Sequence, residues 1–211
     1  MKFFLLTSAV FANLLTPSTI KEDPAIPEPE PEPVKIEQVV APLADLIGAA
    51  ESGTAGGYDA ANRGRPYDLG RNGVLKVFGK PAAEVSVSEI RTAQRYGRIS
   101  AVGRYQIIGV TLQSLLNTGC LQGSESFDKV TQDKAFICLI QQKRPAIWRF
   151  ITTGYGIVPA ANATALEWAS MPYSHGGSYY GGWNASRTSR NLLFTTLEET
   201  RQNVIENPGA I

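Results

Sequence analysis

The chain has little of what metal centres and nucleic-acid modules require. Its 211 residues include only two cysteines and one histidine, and no Cys/His grouping has the spacing of metal ligands. We therefore expect no metal and no cofactor. The formal net charge is only +1, and no aromatic and basic residues alternate as they do in nucleic-acid modules. These features argue against a nucleic-acid partner.

The chain also lacks a long hydrophobic run. The apolar stretch from Phe3 to Leu15 follows Met1-Lys2 and contains three polar residues, so it is too short and too mixed for a convincing membrane span. Residues 1–20 are predicted to be a secretory signal peptide, with an uncleaved short membrane anchor as the alternative. We expect an exported protein, periplasmic or secreted.

Residues 21–38 are predicted to be an extended linker, because the alternating Pro and Glu of this stretch favour polyproline II and cannot bury apolar area. Residues 39–211 would then form one domain, for which a hydrophobic content of 43% is sufficient. From residue 41 onward the chain has 17 Lys and Arg against 13 Asp and Glu, a net charge of +4. A weakly positive domain of this kind suits an anionic polymer such as a cell-wall glycan.

The pattern of the domain predicts an α+β fold that is mainly helical. A helix is expected over 39–51, a short hairpin strand over 73–79, and helices from Arg104, over 128–142, over 163–171 and over 192–205. Ser86 and Glu89 have the spacing of a capping box, which predicts a further helix running to about Arg95.

Glu51 is the most informative residue of the chain. Apolar residues recur at three- and four-residue steps through Leu43, Ile47 and Ala50, and Gly53 follows, so Glu51 falls at the end of an amphipathic helix. A glutamate in the last turn of such a helix is partly dehydrated, which raises its pKa and suits a general acid. The alternative is an exposed glutamate that merely ends the helix.

Several short motifs follow one another in a recognisable order. A helix ending in Glu51-Ser52 precedes Gly57–Asp59, then Gly103–Gln106 before an apolar helix, and finally Trp168–Pro172. This order resembles the lysozyme superfamily and is most similar to the phage lambda-type lytic transglycosylases, over about residues 40–185. The resemblance implies a lysozyme-like domain, with a cleft between a small β-containing flap and a helical body.

The resemblance also implies an activity on peptidoglycan. Lytic transglycosylases cleave the bond between N-acetylmuramic acid and N-acetylglucosamine with one glutamate, here Glu51, because the 6-hydroxyl of the substrate itself closes the anhydro ring. A hydrolytic muramidase would need a second carboxylate, for which Asp59 and Asp68 are the candidates. A glycan-binding or assembly module without catalysis is the third alternative. We expect a monomer that binds glycan strands and is attached through its N-terminus to a membrane, a virion or a secretion apparatus.

A wider set of residues is expected to contact the glycan. Some belong to the motifs of the resemblance, and others belong to a Gly-rich aromatic stretch whose flat rings suit sugar stacking. These residues are Ser52, Tyr58, Asp59, Arg104, Tyr105, Gln106, Tyr179, Tyr180 and Trp183.

The two cysteines, Cys120 and Cys138, both fall within the domain. An even number of cysteines in an exported chain favours a disulfide. Two separate buried thiols are the alternative.

Overall fold

Helices dominate the part of the chain that the computed structural model describes, residues 32–64 and 69–211. Pro33–Ile211 forms one compact unit. The predicted leader, residues 21–31 of the predicted linker and the candidate carboxylate Asp68 lie outside the described residues. The α-helices are α1 (Ile36–Val39), α2 (Ala41–Ser52), α3 (Gly73–Phe78), α4 (Val87–Arg95), α5 (Gly109–Asn117), α6 (Lys129–Cys138), α7 (Pro145–Thr153), α8 (Ile157–Glu167) and α9 (Arg190–Glu206).

The core is built around the last and longest of these helices. Helix α9 packs against α2 and α7, and α7 packs against α8. Leu43 and Ile47 of α2 are fully buried there, together with Ile151 of α7 and Leu193 of α9. This packing holds α2 rigidly, so the end of α2 is a firm support for a side chain. Within the described residues, no helix combines the length and the apolar character needed to cross a membrane.

A small antiparallel sheet follows α2 in the chain. Its strands are β1 (Ala61–Asn62), β2 (Ala101–Val102) and β3 (Ile107–Ile108), in the order β1-β2-β3. Ala61 lies opposite Val102, and Val102 lies opposite Ile107. A mainly helical domain with one small sheet confirms the α+β prediction.

The capping box confirms one prediction residue by residue. The Ser86 hydroxyl accepts a hydrogen bond from the Glu89 amide at 3.2 Å, and the Glu89 carboxylate accepts one from the Ser86 amide at 2.8 Å. The helix that follows, α4, ends at Arg95 as expected. The disulfide is confirmed as well, because Cys120 and Cys138 are bonded to each other.

Other element predictions were wrong. The stretch 73–79 is helix α3 rather than a strand, since Gly79 adopts φ +72° and its amide closes the helix on the Leu75 carbonyl at 2.8 Å. Arg104 does not begin a helix: residues 103–106 form the turn between β2 and β3, and α5 begins at Gly109. Helix α8 ends at Glu167, so the predicted helix 163–171 overran it.

Candidate active site

Glu51 lies in the last turn of α2, with a partly buried side chain. Its Oε1 accepts two hydrogen bonds from one residue, at 3.0 Å from the Ser170 amide and at 2.6 Å from the Ser170 hydroxyl. Ser170 lies just after α8, in the Trp168–Pro172 motif. Because Oε1 already accepts two donors, the proton of a neutral Glu51 belongs on Oε2.

Opposing influences act on the pKa of Glu51. Burial removes water from the carboxylate and raises its pKa above the ordinary value, and this is the largest influence. The two hydrogen bonds from Ser170 and the positive charge of Arg187 oppose it by lowering the pKa. The balance is a raised pKa, which favours a carboxyl group that keeps its proton and can donate it.

Glu51 opens onto a cavity of about 630 Å³. The sheet and the β2–β3 turn supply one part of its lining, and the segments around α8 supply another. Residues from α5 and from the π-helical segment Leu139–Lys143, which follows α6, complete it. The lining residues with polar or aromatic side chains are Glu51, Asn62, Tyr105, Gln106, Thr111, Lys143, Glu167, Trp168, Ser170, Tyr180, Trp183, Asn184 and Arg187.

Arg187 is hydrogen-bonded both to Ser170, which holds the glutamate, and to Ala50, which precedes it in the chain. Its guanidinium donates to the carbonyl of Ala50, the residue before Glu51, at 3.1 Å. Its own amide donates to the Ser170 carbonyl at 2.8 Å. Hydrogen bonds therefore link Glu51 to Ser170, Ser170 to Arg187, and Arg187 to Ala50, the residue that precedes Glu51. They attach both ends of the Gly-rich stretch between Ser170 and Arg187 to the end of α2.

A second carboxylate, Glu167, also lines the cavity. It is held by two cations, with Lys143 Nζ and Arg144 Nε each 2.8 Å from one of its oxygens. Only 4% of its side chain is exposed. Glu167 is thus paired with two cations, whereas Glu51 accepts hydrogen bonds from the neutral groups of Ser170.

Four of the predicted glycan-contacting residues line this cavity: Tyr105, Gln106, Tyr180 and Trp183. Tyr105 is almost fully buried, and its hydroxyl donates a hydrogen bond to Asp133. It therefore forms part of the cavity wall, and its hydroxyl is not free to bind a ligand. Gln106 adopts φ +46° and accepts a hydrogen bond from the Asn62 amide at 2.6 Å. Trp183 is 84% exposed at the cavity edge.

The structure places four other predicted residues away from the cavity. Ser52 donates to the carbonyls of Gly48 and Arg104 and not to Glu51. Asp59 accepts the Ala82 amide at 2.7 Å, which is a structural capping role.

Arg104 and Tyr58 belong to a second, separate group of side chains. Arg104 binds Asp45 and Tyr58, and the Tyr58 hydroxyl donates to Asp133 at 2.9 Å. Lys129 binds the other oxygen of Asp133 at 2.6 Å. This network cross-links α2, α6 and the β2–β3 turn. Its contacts indicate a stabilising role.

Tyr179 takes an intermediate position. It is half-exposed, and its ring makes edge contacts with Tyr173 and Tyr180 without lining the cavity. It contacts the cavity only indirectly, through the ring of Tyr180.

Sequence reasoning did not assign roles to Ser170, Arg187 or Glu167. Ser170 was within reach, since it belongs to the Trp168–Pro172 motif that carries the resemblance. Arg187 and Glu167 have no such local signal, because their places at the cavity depend on how α8 and the stretch after it fold back on α2.

The described residues contain no group of three His, Cys, Asp or Glu side chains arranged to hold a metal ion. At the cavity, a carboxyl group with a raised pKa is held by hydrogen bonds, and the exposed aromatic residues Tyr180 and Trp183 line the same cavity. Comparison with family models, with curated proteins and with solved structures finds no match to this chain.

Proposed function

We propose that this protein is a peptidoglycan lytic transglycosylase with a lysozyme-like fold, and that Glu51 is its single catalytic acid and base. The observation that carries the proposal is the Glu51 carboxyl group. It is partly buried, its pKa is raised, and Ser170 holds one of its oxygens at a cavity wide enough for sugar rings.

The chemistry follows from that protonation state. Neutral Glu51 donates its proton to the glycosidic oxygen as the bond to C1 of the muramic acid breaks, and an oxocarbenium-like centre develops there. The carboxylate that remains accepts the proton of the substrate's 6-hydroxyl while that oxygen attacks C1. The product carries an anhydro ring and Glu51 is protonated again, so no water is consumed.

The lining offers groups suited to sugars. Trp183 and Tyr180 line one edge of the cavity, and the apolar face of a sugar ring can stack on an aromatic ring. The side-chain amides of Asn62 and Gln106, which are hydrogen-bonded to each other, supply donors and acceptors on the side of the cavity formed by the sheet. An elongated substrate with many hydroxyl and acetamido groups fits this combination.

A hydrolytic muramidase is the second candidate, and Glu167 is the observation that favours it. Of the described residues that line the cavity, Glu51 and Glu167 are the carboxylates, and two carboxylates of different character are what such hydrolases use. Asp59 is committed to the Ala82 amide. The clamp of Lys143 and Arg144 on Glu167 argues for a structural carboxylate, so we rank hydrolysis second.

The setting is part of the same proposal. The predicted leader and Pro/Glu linker support export, with the domain acting on glycan strands as a monomer, either free or tethered at a membrane, virion or secretion apparatus. A module that binds glycan without cutting it is the alternative from another functional class.

The test is digestion of purified peptidoglycan by the full-length protein, with the released muropeptides analysed by mass spectrometry. We expect anhydro products, lighter by one water molecule than hydrolysis products, from the wild type. Glu51→Gln should lower the rate by about a thousandfold or more, since a general acid supplies about 10²–10⁴-fold. Glu198→Gln, an exposed glutamate of α9, is the matched control and should keep full activity.

Each other outcome selects an alternative. Ordinary reducing ends that disappear in Glu167→Gln would establish the muramidase. Binding of glycan strands without any cleavage by the wild type would establish the non-catalytic module.

A further inference from the structure

The cationic groups of the cavity differ in whether their charge is already compensated. Lys143 lies 2.8 Å from Glu167, which it shares with Arg144, so it already has a carboxylate partner within the protein. Arg187 has no such partner: among the described residues, no carboxylate lies within 4.0 Å of its guanidinium. Its contact with the Ala50 carbonyl uses one of five N–H donors. An arginine with spare donors therefore faces the space where substrate would lie.

The position of Arg187 is fixed by the backbone. Its amide is bonded to the Ser170 carbonyl, and its guanidinium to the Ala50 carbonyl. The side chain is exposed, but its bond to Ala50 anchors the guanidinium at the cavity, so part of its freedom is already lost before it binds a ligand. Guanidinium groups match carboxylates in geometry, and the pair of hydrogen bonds they form is both strong and directional.

We propose that Arg187 is an anion-recognition residue of the cleft, binding a carboxylate of the substrate next to the bond that Glu51 cleaves. This inference rests on the proposed function and names the substrate class: glycan strands that carry a carboxylate, rather than neutral polymers of N-acetylglucosamine. Arg104, which the Gly103–Gln106 motif predicted to contact the glycan, is not available for this role, because its guanidinium is already bound to Asp45 and Tyr58.

Two sources of the carboxylate share this chemistry. One is the lactyl group of muramic acid, which is free in strands stripped of peptide. The other is the peptide stem of intact strands. The strands are therefore prepared in four forms: peptide-free and peptide-bearing, each with its carboxylates intact or converted to neutral amides.

The experiment measures the affinity of each form by calorimetry and its cleavage by the full-length wild type. Affinity is measured with Glu51→Gln, which keeps the strands intact. We expect the carboxylate form to bind about tenfold to a hundredfold more tightly than its amide, the usual range for a hydrogen-bonded charge. Preference within the peptide-free pair identifies the lactyl group, and preference confined to the peptide-bearing pair identifies the stem.

Variants at Arg187 then test the assignment. In a background of Glu51→Gln, Arg187→Gln should bind carboxylate and amide forms equally. Arg187→Lys should retain part of the preference, since it keeps the charge and loses the paired geometry. Arg149→Gln, which removes an exposed arginine that stacks on Tyr155, controls for net charge and should keep the whole preference.

The outcomes separate the two proposals. If Glu51→Gln, in which Arg187 is intact, binds carboxylate and amide strands with equal affinity, or binds neither, the role of Arg187 is overturned. This comparison needs no Arg187 variant to fold. Preferential binding without any cleavage by the wild type overturns the transglycosylase activity and leaves anion recognition standing.

Discussion

At the scale of single residues, Glu51 combines a function with a cost in stability. Burial disfavours its charged form, so the folded protein holds the proton more tightly than the unfolded chain does. The free energy of folding that goes with this proton is fully present below the unfolded pKa, and it is lost as the pH rises through the raised folded pKa. At neutral pH the ionised form of Glu51 is therefore a source of instability.

Glu51→Gln should consequently raise the thermal stability at neutral pH while it abolishes activity. The amide cannot ionise, and its oxygen can still accept the two bonds from Ser170. We expect a gain of about 2–4 °C in Tm, the shift that a kcal/mol produces in a domain of this size. The gain should shrink as the pH falls below the ordinary glutamate pKa, since both proteins are then neutral at this position. Calorimetric scans across the pH range, with Glu198→Gln as the control, measure this. A variant less stable than wild type at neutral pH would contradict it.

Ser170 and Ser52 form a matched pair for testing which serine serves the glutamate. Ser170→Ala removes the 2.6 Å bond to Oε1, a bond that lowers the pKa of Glu51. In the variant that pKa should rise further, so the alkaline limb of the activity profile moves to higher pH. We also expect kcat to fall by about tenfold, equivalent to about 1.4 kcal/mol of lost orientation.

Ser52→Ala should change the stability of the protein and not the pKa of Glu51. Its hydroxyl donates to the Arg104 and Gly48 carbonyls inside the protein, so its loss should lower the free energy of unfolding by about 1 kcal/mol. The pH profile should not move. A shifted profile in Ser52→Ala, with none in Ser170→Ala, would reverse the assignment.

The contrast between these serines shows what could be read from the sequence. Glu51 was predicted because its helix has a regular apolar pattern and an adjacent glycine stop. Its partner was not predicted, because Ser170 is 119 positions away along the chain and the Trp168–Pro172 motif does not by itself pair this serine with Glu51. Ser52 was the nearest hydroxyl in sequence, but it points into the core, where it is fully buried.

At the scale of elements, predictions succeeded where the signal was local. The Ser86–Glu89 box defines the start of α4 without help from the rest of the fold. The prediction for 73–79 failed because its short apolar run between two glycines suggested a strand, whereas Gly79 in the left-handed region closes a short helix. The β2–β3 turn was missed because it depends on positive φ at Gly103 and Gln106, and glutamine gives little warning of that conformation.

Ser86→Ala tests the cap at the start of α4. It removes the acceptor of the Glu89 amide and should lower the free energy of unfolding by about 1 kcal/mol. Hydrogen bonds from Ser86 and the ion pair with Lys80 lower the pKa of Glu89 to about 2. The stabilising contribution of this carboxylate is thus present above the unfolded pKa and is lost as the pH falls from the ordinary value of 4.5 towards 2.

Urea unfolding of wild type and Ser86→Ala at neutral and acidic pH measures both effects. The difference between the two proteins should be smaller in acid, where Glu89 is protonated. Ser114→Ala, on the exposed face of α5, is the control and should be neutral or slightly stabilising, since alanine favours helix. A constant difference at all pH values would show that Glu89 takes no part in the cap.

At the scale of the whole molecule, the cleft is assembled from segments that are far apart in the chain. The sheet, the π-helical segment after α6, the end of α8 and the stretch up to Arg187 each contribute lining residues. Such a cleft depends on the packing between helices. The Cys120–Cys138 disulfide bears directly on it, because Cys138 immediately precedes the π-helical segment Leu139–Lys143, and both ends of that segment line the cavity.

Reduction of this disulfide should therefore weaken the fold and loosen one wall of the cleft. The two cysteines are 18 positions apart, and a loop of this length constrains the unfolded chain by about 3 kcal/mol. We expect the wild type to lose about that much unfolding free energy in reductant, and KM for glycan strands to rise because Lys143 and Glu167 are less firmly placed. Cys120→Ala with Cys138→Ala should have the lowered stability from the start and should not respond to reductant. If fully reduced wild type, verified by thiol titration, unfolds at the same urea concentration as the oxidised form, the disulfide does not stabilise the fold, and the cleft wall is held by the packing of α6 against its neighbours alone.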